Sequence, residues 1–318
     1  MNTRPHNVLI IDDMHSSITS LLKDAGFIPD YRPEIKKGEV YQIIHQYEGL
    51  IVRSKMKVDK ELIDRAVNLK FVGRAGAGVD NVDYQYLDQK GIRLVNAPEG
   101  NRDALAEHAM GMLLTLFNRI NTADQEVRQG IWRREENRGW EIMGHTIGIF
   151  GFGYMGEAFA KRLRGFECNV IAYDGYKSGF SNEYVTQVDL ETFMKETEIL
   201  SIHVPLTSET KYMFDNAFFG QFQSLKVLLN TSRGEVVKLS AVNNLLDSGR
   251  LVCAGLDVLE NEKLDRLSDE QQTEFEKLIK RDNVLLTPHV GGWSYESYRK
   301  INIVLVKKLV AEGLAHLE

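Results

Sequence analysis

Residues 146–174 read TIGIFGFGYMGEAFAKRLRGFECNVIAYD, and the rest of the chain is best understood from this segment. It opens with a short apolar run at 147–150, which is typical of a buried strand and leads directly into the glycine pattern GFGYMG at 151–156. Residues 157–164 then continue with helical periodicity. The segment therefore predicts a strand, a tight turn and a helix.

The spacing of the glycines is that of a dinucleotide-binding turn. Gly151 permits the turn, Gly153 lets the backbone approach a pyrophosphate, and Gly156 lets the helix pack closely on the strand. The next apolar run ends in Asp174, whose carboxylate can accept hydrogen bonds from ribose hydroxyls. The same carboxylate would repel a 2′-phosphate, so the segment predicts NAD rather than NADP as the cofactor.

Composition places the chain among globular proteins of two domains. It has 318 residues, of which 43% are hydrophobic and 26% charged. A formal charge of −6 disfavours a nucleic-acid partner, and no run approaches the roughly 20 apolar residues that cross a bilayer, so no membrane partner is predicted. Cys168 and Cys253 both lie in apolar runs and predict reduced, buried thiols. Together with the absence of a signal-peptide pattern, they favour the cytoplasm.

Strand-like and helical runs alternate along the whole chain, which is typical of doubly wound parallel sheets. We therefore predict an α/β fold with two Rossmann-like domains. The NAD-binding domain, 102–284, is inserted into a discontinuous substrate-binding domain, 1–101 and 285–318. A long helix from Arg102 to about Ile120 would connect them. The polar segment 121–144 has no strong periodicity, and it fits a loop over the cofactor, a contact with a second subunit or an exposed excursion.

Two stretches of the first domain are suited to hold an anion. Arg53 and Lys55 follow the strand-like run 49–52, at the end of the strand where ligands of parallel sheets bind. The stretch GRAGAGVDNVD at 73–83 begins with three glycines in six residues, which expose backbone N–H groups. A solvated turn and a flexible loop are the alternatives for these two stretches.

Three polar residues follow strand-like runs in the second half: Arg233, Glu262 and His289. Because parallel strands deliver their carboxyl ends to one edge of a sheet, we expect these side chains to converge beside the nicotinamide. A histidine, with an ordinary pKa of about 6.5, can exchange a proton with the substrate oxygen. Glu262 would orient the ring and favour its charged form, and the planar fork of Arg233 matches a carboxylate.

Each of these residues also has an ordinary structural explanation: a surface arginine, a solvated glutamate or a histidine that caps a turn. His203, in SIHVPLT, also follows a strand-like run, and we predict that it lines the cofactor site or packs beneath it. No cluster of His, Cys and carboxylate residues has the spacing of a metal site, so no metal is predicted.

Over nearly its whole length the chain resembles the D-isomer-specific 2-hydroxyacid dehydrogenase family. The motifs that carry the resemblance occur in the family's order: GRAGAGVDNVD at 73–83, NAPEGN at 96–101, IGIFGFGYMG at 147–156, SIHVPLT at 201–207, LLNTSRGE at 228–235, AGLDV at 254–258 and TPHVGG at 287–292. Within the family, the first two motifs most resemble members that act on a phosphorylated three-carbon acid.

The resemblance implies roles for individual residues and a homodimeric assembly. The implied catalytic residues are Arg233, Glu262 and His289. The implied NAD contacts are Gly151, Gly153, Tyr154, Met155, Gly156, Asp174, His203, Val204, Pro205, Thr231, Ser232, Arg233, Asp257, His289 and Gly292. The implied substrate contacts are Arg53, Ala75, Gly76, Asn101, Arg233 and His289, with Arg74 nearby.

Some positions depart from the family's pattern. Glu235 stands where a second glycine commonly follows the catalytic arginine. Glu262 lacks the proline that often follows the corresponding acid, and an insertion precedes His289. Glu260 is therefore an alternative partner for the histidine.

The resemblance implies NAD-dependent interconversion of D-3-phosphoglycerate and 3-phosphohydroxypyruvate, as in serine biosynthesis. A phosphate would account for the cationic Arg53, Lys55 and Arg74. Glyoxylate, hydroxypyruvate or another small 2-oxo acid is the alternative substrate. An NAD-sensing protein similar to the corepressors that resemble this family is the alternative of another class.

Overall fold

The computed structural model describes residues 6–315. The chain divides into two compact units: unit 1 comprises the residues up to Arg102 and those from Trp293 onward, and unit 2 is Asp103–Gly292. The second boundary lies after the predicted 284 because the backbone of Val290 and Gly291 is hydrogen-bonded to Asp257 inside unit 2.

Unit 1 contains a five-stranded parallel sheet whose strand order is β2-β1-β3-β4-β5. Its strands are β1 (Asn7–Ile10), β2 (Ile28–Tyr31), β3 (Gly49–Val52), β4 (Phe71–Arg74) and β5 (Arg93–Asn96). Its helices are α1 (Ser17–Asp24), α2 (Lys37–Ile43), α3 (Lys60–Arg65), α4 (Tyr84–Gln89) and α12 (Tyr295–Ala311). The direction of winding reverses between β1 and β3, so their carboxyl ends border the crevice where such sheets bind ligands.

The last helix, α12, completes the core of unit 1. Its residues Leu305 and Leu309 are fully buried with strands β1 and β4 in one apolar cluster. At Gly100 a Cβ atom would stand 2.6 Å from the Cα of Ile301, so the chain and the helix touch backbone to backbone there. This contact fixes the turn that precedes Asn101.

Unit 2 contains a seven-stranded parallel sheet in the order β12-β11-β10-β9-β6-β7-β8. Its strands are β6 (Thr146–Phe150), β7 (Asn169–Tyr173), β8 (Thr186–Gln187), β9 (Ile199–Ile202), β10 (Val227–Asn230), β11 (Cys253–Leu256) and β12 (Val284–Leu286). Its helices are α5 (Arg102–Phe117), α6 (Ile120–Arg128), α7 (Tyr154–Leu163), α8 (Leu190–Glu196), α9 (Asn216–Phe219), α10 (Leu239–Asp247) and α11 (Asp269–Leu278).

In this sheet β7 and β8 lie on one side of β6, while β9 to β12 extend on the other. The winding therefore reverses between β6 and β9, which is the Rossmann arrangement. The middle strands are buried on both faces, and two apolar clusters cover those faces. The two parallel sheets confirm the predicted α/β class with two doubly wound domains.

The helix predicted from Arg102 to about Ile120 is slightly shorter in the structure. Helix α5 stops at Phe117, and Arg119 adopts a left-handed conformation with φ of 50°, which an α-helix cannot continue through. A second helix, α6, then starts at Ile120 and occupies part of the segment that lacks periodicity. Among residues 6–315, no helix combines the length and apolar character needed to cross a membrane.

Candidate active site

The glycine turn after β6 lies at the point where the winding of unit 2 reverses. Gly151 has φ of +93°, and a Cβ there would stand 2.9 Å from Val204 Cγ1 and 3.0 Å from the backbone of His203. A Cβ at Gly156 would stand 2.2 Å from the carbonyl oxygen of Gly151. Both positions therefore require glycine. A Cβ at Gly153 would meet nothing within 4 Å, so open space lies above that part of the turn.

This open space faces the beginning of α7. The helix starts at Tyr154 and Met155, and its N-cap, Gly153, supplies no side chain to bond the first N–H groups. Such an N-terminus suits a phosphate, because the N–H groups and the helix dipole both favour negative charge. The turn and the helix thus have the form that a dinucleotide pyrophosphate requires.

Asp174 lies beside the glycine turn, just after β7. One oxygen of its carboxylate accepts from the backbone N–H of Phe152 at 2.8 Å. The other accepts from the N–H groups of Tyr176 and Lys177, both at 2.9 Å. The carboxylate therefore holds the turn in place, and the first oxygen keeps a further lone pair for a ribose hydroxyl.

The loops after β9 and β10 bring further residues predicted to contact NAD. His203 Nε2 lies 2.8 Å from Ser201 Oγ, and burial lowers the pKa of His203 to about 3, so the ring is neutral. The carbonyl of Pro205 accepts from Thr210. Among the described residues, the buried atoms His203 Nδ1 and Thr231 Oγ1 have no hydrogen-bond partner. Such orphaned atoms fit a site that a polar ligand completes.

Arg233 is held by a short turn after β10. The side chain of Asn230 accepts from the backbone and hydroxyl of Ser232 and donates to the carbonyl of Arg233. A Cβ at Gly234 would stand 1.8 Å from the carbonyl oxygen of Leu259, so the turn presses against the segment that follows β11. The half-buried guanidinium donates from Nη1 to the carbonyl of Ser232 at 2.7 Å.

The structure pairs His289 with Glu262. His289 Nδ1 lies 2.8 Å from Glu262 Oε1, and both side chains are partly exposed. A pair this exposed adds little to folding stability, so its main effect is to orient the ring. With Nδ1–H directed at the carboxylate, Nε2 is the nitrogen that can exchange a proton with a substrate.

The backbone of His289 is unusual. Its φ of 53° lies in the left-handed region, which for a residue other than glycine costs about 1–3 kcal/mol at a strained site. Its N–H donates to the carbonyls of Asp257 at 2.8 Å and Thr287 at 3.0 Å. The neighbouring Gly292 also has positive φ, of 88°. The turn that carries the imidazole is thus fixed by hydrogen bonds.

Glu260, the alternative partner from the sequence, lies elsewhere. One of its carboxylate oxygens accepts from the backbone N–H of Leu239, the first residue of α10. Burial raises the pKa of the Glu260 carboxyl. Because β10, β11 and β12 are neighbours about 4.8 Å apart, the segments that bear Arg233, Glu262 and His289 leave the same edge of the sheet.

In unit 1, Arg53 follows β3 at the reversal of winding. The carboxylate of Asp12 accepts from the backbone N–H groups of Arg53, Ser54 and Lys55, at 2.7 to 3.0 Å. The guanidinium carbon of Arg53 lies 3.8 Å from the centre of the Trp293 ring. The Asp12 contact fixes the backbone and the Trp293 contact fixes the cation, so Arg53 is well placed to hold an anion.

The other predicted substrate residues are engaged within unit 1. Lys55 Nζ donates to the carbonyl of Pro33. The guanidinium of Arg74 folds over Gly76, where Nη1 would stand 1.8 Å from a Cβ. The amides of Ala75 and Gly76 donate to the carbonyls of Val52 and Arg74, which removes two donors from the predicted anion nest. Asn101 is half-buried at the end of the turn before α5.

Sequence reasoning missed the residues that support these side chains. Asp12 and Trp293 give no motif of their own, and His108 lies within a helical run of the sequence, where a packed or capping histidine is the ordinary expectation. The signal for Asp12 is its position directly after the first strand, where the winding of the sheet reverses. Among the described residues, no group of three or more His, Cys, Asp and Glu side chains is placed to hold a metal ion.

Comparison with known proteins agrees with this geometry. Residues 110–291 match the family model of the D-isomer specific 2-hydroxyacid dehydrogenase NAD-binding domain, which confirms the prediction of NAD. The hydroxypyruvate reductase of Thermotoga maritima is 34% identical over 307 residues, covering 96% of this chain and 98% of that protein.

Two further proteins extend the comparison. The D-3-phosphoglycerate dehydrogenase of Archaeoglobus fulgidus is 34% identical over 314 residues, covering 96% of this chain but 58% of that longer protein. The structure of the Aquifex aeolicus D-lactate dehydrogenase with NAD and lactic acid is 26% identical, with a TM-score of 0.80 and 96% of each chain covered. The chain therefore belongs to the D-isomer specific 2-hydroxyacid dehydrogenase family, whose members are NAD-binding oxidoreductases.

Proposed function

We propose that this protein interconverts D-3-phosphoglycerate and 3-phosphohydroxypyruvate with NAD. The observation that carries the proposal is the contact of 2.8 Å between His289 Nδ1 and Glu262 Oε1. It presents an oriented imidazole at the sheet edge that also bears Arg233 and the dinucleotide turn. A proton donor, a carboxylate-binding cation and a dinucleotide site are what reduction of a 2-oxo acid needs.

Each residue has one task in this proposal. A nicotinamide bound beside them would supply or receive the hydride. His289 gives a proton from Nε2 to the substrate oxygen during reduction and takes it back during oxidation. Glu262 keeps the ring in the productive tautomer and stabilises its charged form. Arg233 holds the substrate carboxylate, and its positive charge stabilises the negative charge that develops on the neighbouring substrate oxygen.

The choice of a phosphorylated substrate is supported by Arg53. Its guanidinium is fixed on Trp293, and a phosphate dianion gains more from such a cation than an uncharged hydroxymethyl group does. The similarity to a D-3-phosphoglycerate dehydrogenase is in line with this choice. Hydroxypyruvate or glyoxylate is the second candidate, favoured by the engagement of Lys55 and Arg74 with groups of unit 1.

A substrate panel tests the function. Oxidation of NADH is followed at its absorbance with 3-phosphohydroxypyruvate, hydroxypyruvate, glyoxylate and pyruvate at matched concentrations. We expect kcat/KM for 3-phosphohydroxypyruvate to exceed kcat/KM for each of the other acids by about tenfold or more, because one additional charge-assisted hydrogen bond contributes at least that factor. Equal or higher values for hydroxypyruvate would support the second candidate. A folded protein that binds NADH but reduces none of them would contradict catalysis and favour NAD sensing.

We also propose that the protein is a homodimer that uses the segment 131–143. Ile131, Trp132, Trp140 and Met143 are large apolar residues with exposed side chains, and Trp132 is 83% exposed. Exposed aromatic residues at this density are typical of interface cores.

Charge substitution distinguishes an interface from an ordinary surface. At micromolar concentration the wild-type protein is expected to sediment as a dimer and the Trp132→Glu variant as a monomer. The reason is that an unpaired carboxylate cannot be buried in an apolar interface. Val67→Glu, at an apolar site of unit 1 that is 76% exposed, is the control and should leave the dimer intact. A wild-type protein that sediments as a monomer would refute the proposal.

A further inference from the structure

The turn that bears His289 is organised around one buried carboxylate. Asp257 is 1% exposed, and its Oδ1 accepts from Thr287 Oγ1 at 2.6 Å and from the N–H of Val290 at 2.9 Å. Its Oδ2 accepts from the N–H of Gly291 at 2.7 Å, and its carbonyl accepts from the N–H of His289 at 2.8 Å. A single residue after β11 thus holds most of the turn after β12.

His108, on helix α5, also contacts this arrangement. Its Nε2 lies 3.1 Å from Thr287 Oγ1 and 3.4 Å from Asp257 Oδ1. Because the threonine hydroxyl donates its proton to Asp257, its oxygen is left to accept, and His108 Nε2 must carry the donated hydrogen. The direction of both hydrogen bonds is therefore fixed: His108 donates to Thr287, and Thr287 donates to Asp257.

The turn is closely packed at Gly291. A Cβ at Gly291 would stand 2.6 Å from Asp257 Oδ2 and 3.5 Å from His108 Cδ2. Gly291 is thus enclosed by the carboxylate and by the imidazole ring. The ring of His108 therefore contacts the turn at Gly291 as well as at Thr287.

We propose that His108 is a positioning residue for the reaction: through Thr287 and Asp257 it holds the left-handed turn that directs His289 Nδ1 at Glu262. His108 is placed to touch neither the substrate nor the reacting atoms in this role. The inference rests on the proposed role of His289 as the proton donor.

The charge of Asp257 supports the arrangement. Burial alone would raise the pKa of Asp257, but the hydrogen bonds from His108, Thr287 and the amides of Gly291 and Val290 outweigh it, and the pKa is lowered. The carboxylate therefore stays ionised and keeps accepting from all of these donors. Loss of the His108 contact removes one of the interactions that hold the charged form.

The test separates positioning from simple support of the fold. His108→Phe keeps a ring of similar size but removes the donor, and Thr287→Val removes the hydroxyl. The first readout is the ring ¹⁵N shifts of His289 in the protein without NAD, assigned by their disappearance in His289→Gln. At a pH at which the ring is neutral, the wild type should show one tautomer, with the hydrogen on Nδ1. In both variants we expect a mixture of tautomers.

The second readout is the rate of 3-phosphohydroxypyruvate reduction. We expect kcat to fall by about 10- to 100-fold in either variant, the size of effect that a misplaced catalytic group produces, while the Kd of NADH stays unchanged. The double variant should be no slower than the slower single variant, because the two substitutions interrupt the same series of hydrogen bonds from His108 through Thr287 to Asp257. His108→Gln, which can still donate, should restore the tautomer and most of the rate.

A lower melting temperature in His108→Phe with an unaltered His289 tautomer and an unaltered kcat would overturn the proposal and leave His108 a purely structural residue. Failure of the proposed function looks different, because the wild type itself would then show no turnover. In that case the tautomer of His289 in the two variants still decides whether His108 positions the ring.

Discussion

Replacement of His289 by alanine is expected to lower kcat by about 10³-fold, within the range of 10² to 10⁴ that a positioned general acid contributes. The variant keeps Arg233 and the dinucleotide turn, but no group remains opposite Glu262 to protonate the developing alkoxide. The measurement is the steady-state rate of NADH oxidation with saturating 3-phosphohydroxypyruvate. Since the ring supplies no contact to phosphate or ribose in this account, the Kd of NADH should change by less than about threefold.

A matched control exists in the same unit. His145 forms a second imidazole–carboxylate pair, with Nδ1 3.0 Å from Glu198 Oε2, but it precedes β6 and lies at the amino end of the sheet. His145→Gln removes a similar pair at the edge opposite to the proposed chemistry. We expect kcat of this variant to stay within about twofold of the wild type, as for surface changes outside the site. Equal losses in both variants would contradict the role given to His289.

Replacement of Arg233 by glutamine is expected to lower kcat/KM by about 10² to 10⁴-fold. The guanidinium can make two charge-assisted hydrogen bonds to one carboxylate, each worth about 1.5–3 kcal/mol, and about 1.4 kcal/mol corresponds to a factor of ten. Because part of this interaction strengthens as charge develops on the neighbouring oxygen, kcat should fall as well as KM rise. Steady-state kinetics with 3-phosphohydroxypyruvate measure both.

The lysine variant refines this expectation. Arg233→Lys keeps the positive charge but loses the planar fork, so it should recover only part of the loss. Arg164→Gln, which breaks a surface pair with Glu183, is the control and should leave the kinetics near the wild type. An Arg233→Gln variant with normal kcat/KM would show that another group holds the carboxylate.

The sequence predicts the architecture well because the determining signals are local. The glycine turn, the apolar run before it and Asp174 all lie within 146–174, and the glycines mark backbone geometry that few residue types can adopt. The placement of Arg233, Glu262 and His289 at one sheet edge likewise follows from a rule about parallel strands. These predictions require no knowledge of side-chain contacts.

The supporting contacts could not be predicted in the same way. The hydrogen bond that the backbone of Arg53 donates to Asp12 joins residues 41 positions apart, and the contact between His108 and Thr287 joins residues 179 positions apart. Neither has a spacing rule, because the loops that bring them together are irregular. The sequence could not decide between Glu260 and Glu262 for the same reason. The two residues are only two positions apart in an irregular segment, yet Glu260 binds the first N–H of α10 and Glu262 contacts the imidazole of His289.

The central claim is that His289 and Arg233 act together on one substrate held at the edge of the unit 2 sheet. A crystal structure of the protein with NAD and oxalate, an unreactive mimic of a 2-oxo acid, tests this most directly. We predict that His289 Nε2 and the Arg233 guanidinium each lie about 3 Å from an oxalate oxygen, with Nδ1 still on Glu262. Oxalate bound away from both side chains, or an imidazole whose Nε2 faces solvent in the complex, would contradict the account.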